Sequence, residues 1–177
     1  MGGKPGMNAV EPWLRGTLVE VPAVGRAVVH ALEMAVEDVR RWCGGLSDAE
    51  MEARPAGLPA VGFQLRHMAG SLDRLLTYAE GGELDEGQMA ALRSEVTKVA
   101  PGEEVFAEFE RAVTSGVLRV RALCLLDLEG WRFVGRRRLP SSLGGLLVHV
   151  AEHTSRHVGQ VVTTAKVLMA GRGVGGS

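Results

Sequence analysis

Three of the chain's five histidines, His149, His153 and His157, fall at four-residue intervals in a segment whose apolar residues recur with a helical period. Four residues of α-helix turn through about 400° and rise about 6 Å, so His153 and His157 project side by side from one face. At that spacing two imidazoles can share a metal ion. The same spacing also fits a core helix whose histidines find other partners. Burying each ring without a partner costs about 1–3 kcal/mol, and one ion would satisfy both. A site with a position open for chemistry needs a third protein ligand. The candidate is His67, beside the apolar stripe of a second helical segment. It can face the pair across a bundle and leave a fourth position for water or substrate.

Other arrangements of the same residues compete. His149-Val150-Ala151-Glu152-His153 has the H-x-x-E-H order of certain metallopeptidases, with Glu152 as base. Those enzymes take a further acidic ligand downstream, and no Asp or Glu follows Glu152, so the peptidase reading fails. His149 is then a group lining the pocket or supporting the ligands, or simply a part-exposed residue near the helix start. Gln160 lies one turn beyond His157 and could orient a ligand or substrate. Arg156 is a possible anion clamp, though it points about 100° away from His157. His30 lies off the main stripe of its helix and reads as a surface residue. The run Arg136, Arg137, Arg138 reads as a solvated loop, or as a mouth that attracts an anionic substrate.

The elements that must position these residues are helical. Val24, Ala27, Val28, Ala31, Leu32, Ala35, Val36 and Val39 form the stripe of a first helix, which begins near Pro22 and stops at Gly44-Gly45. Ser47 and Glu50 stand at capping-box spacing for a short turn of helix. A second helix spans residues 61 to 79, and a polar connection from 80 to 102 includes a short helix around 88 to 96. A third helix opens at Pro101 with carboxylates in its first turn and runs to about 126. The fourth starts at Pro140-Ser141-Ser142 and continues to about 170. Its inward face carries Leu143, Leu146, Leu147, Val150, Val158, Val161, Val162, Ala165 and Leu168. No convincing strand is evident. The expected class is all-α, a four-helix bundle, and its longest connection, 80 to 102, could cross it. The expected organisation is a single domain over 11–170 between flexible segments 1–10 and 171–177.

Composition narrows the function classes. Lys and Arg (20) nearly balance Asp and Glu (21), so no global field recruits nucleic acid or an anionic membrane. No apolar run approaches the ~18 residues that span a bilayer, and the start lacks the apolar core of a signal peptide. A cytoplasmic protein acting on a small molecule is expected, without nucleic-acid or membrane partners. Cys43 and Cys124 read as buried free thiols.

Residues 54 to 74, with Leu65-Arg66-His67-Met68-Ala69-Gly70-Ser71 at their centre, resemble the DinB/YfiT-like superfamily of metalloenzymes. So do residues 145 to 160, which end in His153-Thr154-Ser155-Arg156-His157-Val158-Gly159-Gln160. The resemblance covers roughly residues 12 to 169. It implies a four-helix bundle that holds a divalent metal, zinc or nickel, on His67, His153 and His157, and often a homodimer. Activities in that family imply a transferase that acts through a metal-bound low-molecular-weight thiol. The alternatives are a hydrolase using metal-bound hydroxide, or a non-catalytic, metal-stabilised dimeric binding or stress-response module.

Overall fold

The computed structural model describes residues 10–97 and 99–172. The expected end segments fall mostly outside the described residues. Six α-helices occur among those residues: α1 (Ala23–Cys43), α2 (Asp48–Glu52), α3 (Val61–Ala79), α4 (Glu86–Ser94), α5 (Gly102–Leu123) and α6 (Leu143–Gly171). Four are long and form the body, with α1 packed on α5 and α6, and α3 on the same two helices. The class is all-α, as the sequence implies.

Each helix has a local cause. Val28, Val29, Leu32, Ala35 and Val39 repeat at three- and four-residue steps, and all are buried in α1. Ala27, expected on that stripe, is exposed, because the buried face is rotated toward Val29 and His30. The expected capping box opens α2, where the Glu50 N–H donates to Ser47 Oγ and the Ser47 N–H donates to Glu50 Oε2. A second box, Asp85 with Gln88, opens α4. Ser142 caps α6 by accepting the Gly145 N–H at 3.1 Å. Phe109, Leu32, Leu65, Leu76, Leu143 and Leu147 are among the fully buried side chains, each worth about 1.5–3 kcal/mol relative to exposure.

Long-range contacts fix the helix directions. Gln64 near the start of α3 meets Thr164 late in α6, so these two helices run antiparallel. Arg119, late in α5, bridges Asp73 in α3 and Glu80 at its C-terminal cap, and Asp48, which opens the α2 turn preceding α3, accepts the Gly102 N–H at the start of α5. Thus α3 and α5 lie side by side and parallel. The connection from 80 to 101 must therefore return along the length of the bundle, carrying α4 back over α3. This is the crossing that its length suggests.

Two further expectations are overturned. Residues Trp131–Val134 (β1) and Leu139–Ser142 (β2) form an antiparallel hairpin, with Trp131 opposite Ser142 and Val134 opposite Leu139. Gly135 (φ 69°) and Arg138 (φ 48°) turn the loop between them. The ladder continues as Leu143 N–H to Gly130 O and Gly144 N–H to Leu128 O, at 2.9 and 2.8 Å, so the hairpin sets where α6 begins. His30 is buried, only 6% exposed. The segment ahead of α1 folds over it and places Thr17 Oγ1 at 3.3 Å from its Nε2. No helix among the described residues is long and apolar enough to cross a membrane. Cys43 and Cys124 are buried and free, as expected.

Two predictions follow from this packing. Gly25 lies against Cys124, and a methyl group there would collide with its Cβ and Sγ, whereas Gly159 faces open space. In urea titrations Gly25→Ala should lose about 1–3 kcal/mol, while Gly159→Ala should gain up to about 1 kcal/mol from helix propensity. Glu50 pairs with Arg172 at 2.7 Å, and the hydrogen bonds from Arg172 and Ser47 hold its carboxyl down at about 2. Its folded value is the lower one, so its contribution to stability is complete above the ordinary value near 4.5 and is lost as pH falls through about 2. Carboxyl NMR should find this low titration, and Arg172→Ala should move it back toward the ordinary value.

Candidate metal centre

Antiparallel packing of α3 on α6 brings the second turn of one against the middle of the other. His67 thereby meets His153 and His157. The ring centroids are 4.6 Å apart for His153 and His157, 4.7 Å for His67 and His157, and 5.4 Å for His67 and His153. One ligand atom from each ring lies within 4.8 Å of the other two. Among the described residues this is the single convergent group of three or more His, Cys, Asp or Glu. All three rings are half-buried.

The surroundings favour the uncharged forms of His153 and His157. Burial lowers His153 first, the neighbouring His157, His67 and His149 rings and Arg156 lower it further, and together they push it down to about 4. Burial likewise lowers His157, with help from His67 and Arg156, against an opposing influence of the nearby Gln160 side chain. Neutral imidazole is the form that binds metals. Nδ1 of His157 is buried with no hydrogen-bond partner, which costs about 1–3 kcal/mol unless something fills the position. Three imidazoles whose ligand atoms converge within 4.8 Å, one ring with an unsatisfied nitrogen, fit a borderline divalent ion such as zinc or nickel.

Carboxylate chemistry lies on one side only. His67 Nδ1 is 2.9 Å from Oε2 of Glu95, whose Oε1 is held by Arg74 at 2.5 Å. Arg74 Nη2 donates to Ser71 Oγ at 3.0 Å, and that hydroxyl lies 3.4 Å from His67 Nε2. Burial pushes Glu95 up, but the hydrogen bonds and charges of His67 and Arg74 outweigh it, and the carboxyl sits below its usual value. Ser71 and Arg74 follow His67 by four and seven residues and share its face, a polar spacing visible in the sequence. Glu95 carries no such signal, because it arrives from the turn after α4.

The other candidates scatter. His149 is part-exposed, its ring 5.8 Å from that of His153 and its Nδ1 3.2 Å from Glu152. Glu152 is exposed and held between His149 and Arg156, so the peptidase order brings no base to the cluster. Arg156 and Gln160 line a cleft of about 310 Å³ with Leu58, Pro59, Thr163 and Thr164, a lining that includes none of the three clustered histidines. Arg136 and Arg138 belong elsewhere. They line a cleft of about 650 Å³ with Tyr78, Trp131 and Phe133, and Tyr78 lies about 16 Å along α3 from His67.

In the metal-free protein, His153 should titrate near 4 by NMR. An unfolded chain takes up that proton near 6.5, so more protons bind the unfolded state between these values. The contribution to stability is therefore complete above about 6.5 and is lost as pH falls toward about 4. His153→Phe should flatten the fall of the urea midpoint across that window.

The chain matches the model of a family described as the DinB superfamily over residues 31–161. That span contains all three clustered histidines. No curated protein matches the chain.

Proposed function

This chain belongs to the DinB superfamily, and from that membership we propose that His67, His153 and His157 hold a divalent ion, zinc or nickel, in a transferase acting through a small thiol. The observation that carries this reading is the convergence of three imidazoles within 4.8 Å, two of them held below their ordinary pKa and one, His157, with its Nδ1 buried and unsatisfied. The bound ion would supply Lewis acidity, which lowers the pKa of a coordinating thiol and provides a nucleophile near neutral pH.

The chain's own residues have separable tasks. His153 and His157, one turn apart on α6, present two nitrogens from a rigid helix, and His67 adds the third from α3. Gln160 offers both a donor and an acceptor at the mouth of the neighbouring cleft. Arg156, half-neutralised by Glu152, lends that mouth a positive edge for an anionic group on the substrate. The cleft is at the small end of ligand pockets, which suits a small molecule.

Hydrolysis ranks lower because it needs a free base. Glu152 is engaged with His149 and Arg156, and Glu95 with His67 and Arg74. The reading carries with it a cytoplasmic homodimer working on a small-molecule substrate.

Elemental analysis of protein purified without chelators or an affinity tag should find about one zinc or nickel per chain. His153→Ala should bind the ion more than about 100-fold more weakly, since losing a ligand exceeds the loss of a supporting contact. His149→Ala should keep the ion. A cobalt-substituted sample should develop a thiolate-to-metal absorption band when a small thiol is added. A wild type that takes up neither added zinc nor nickel contradicts the metal reading, and cobalt protein blind to thiols contradicts the transferase.

A further inference from the structure

Glu95 is the only acidic side chain among the described residues that is buried, at 8% exposure. Removing a carboxylate from water costs several kcal/mol unless it is paired and hydrogen-bonded. Here both oxygens are committed, one to His67 at 2.9 Å and the other to Arg74 at 2.5 Å. Ser71 closes the circuit between Arg74 and His67. The element that delivers Glu95 has little other reason to lie where it does. α4 has no buried residue of its own, and Leu92, Val96 and Val99 on and after it are exposed. Its other polar attachment to α3 is Gln88, which donates to Asp73 and Thr77 at 2.6 and 2.8 Å.

We infer that Glu95 is a positioning residue of the metal centre, accepting the Nδ1–H of His67 so that the lone pair stays on Nε2, which has only the exchangeable Ser71 hydroxyl 3.4 Å away, and that it thereby makes the docking of α4 a condition of metal affinity. The inference rests on the metal reading above. A carboxylate on the far nitrogen of a ligating histidine fixes the tautomer, limits rotation of the ring and raises its basicity. Because Glu95 stands on the return connection and not on a long helix, the support can be withdrawn without opening the bundle. Linkage then requires the reverse effect: whatever factor Glu95 adds to affinity for the ion, the ion adds to closure of α4.

The test uses the full chain, zinc alone as probe, and the variants Glu95→Ala and Glu95→Gln. Competition with a chromophoric chelator should show zinc binding about 10–100-fold weaker in Glu95→Ala. Glu95→Gln should fall between, because its amide oxygen still accepts the Nδ1–H without the charge. Hydrogen exchange in α4 should slow on zinc addition in the wild type and not in Glu95→Ala. Nitrogen NMR of the metal-free protein should find His67 protonated on Nδ1 in the wild type and mixed in Glu95→Ala, a change that a merely structural role would not produce. If Glu95→Ala does not fold, the nearly isosteric Gln variant carries the same three measurements. Wild-type zinc affinity in both variants, or α4 exchange indifferent to zinc in a wild type that binds it, overturns the inference alone. A wild type that binds no zinc removes the metal reading and the inference with it.

Discussion

Three half-buried imidazoles whose ligand atoms lie within 4.8 Å of one another repel each other when more than one becomes an imidazolium cation. Charging one raises the cost of charging the next, and burial raises it for each. The surrounding elements make that crowding permanent. α3 and α6 run antiparallel, so one residue of the first faces two successive turns of the second. The start of α6 is pinned twice, by the Ser142 cap and by the backbone bonds from Leu143 and Gly144 to the segment ahead of the hairpin. A slip of one residue at that start would rotate His153 and His157 by about 100°, out of the cluster. The hairpin, distant from the histidines, thus determines their direction.

The same crowding sorts the chemistry. A site that holds His153 and His157 below their ordinary pKa, and whose one adjoining carboxylate is tied to His67 and Arg74, is disposed to take up a cation and poorly equipped for proton abstraction. The acids nearest the cluster have other duties: Glu152 faces solvent between His149 and Arg156, while Glu95 backs one ring and is itself fixed by Arg74. What remains open is the cleft at Gln160 and Arg156, which offers hydrogen bonds and positive charge but no base. Reactions that bring their own nucleophile fit this arrangement better than those that need water activated by a side chain.

Much of this was legible in the sequence, for identifiable reasons. α3 is bounded by Pro59 and by Gly81-Gly82, and its apolar period is regular, so the range 61–79 could be read directly. The i, i+4 pair on α6 and a histidine on α3 suffice to suggest convergence, because helix geometry fixes side-chain direction. The hairpin was not legible. Its strands are four residues long, one contains Pro140, and three arginines separate them; ladder bonds and docking on α3 hold them, not propensity. His30 looked superficial because its cover, with Thr17, comes from outside its helix. Glu95 was hidden for a related reason: only the return of the 80–101 connection along α3 places it against a residue 28 positions earlier.

The central claim is that three imidazoles and no other protein donors hold a divalent ion here. X-ray absorption at the metal edge of zinc-loaded protein tests it most directly. The account predicts a first shell with three imidazole nitrogens at about 2.0–2.1 Å, showing the outer-shell scattering of the rings, completed by light atoms from solvent. A shell containing sulfur from Cys43 or Cys124, or one with fewer than three imidazoles, would contradict it.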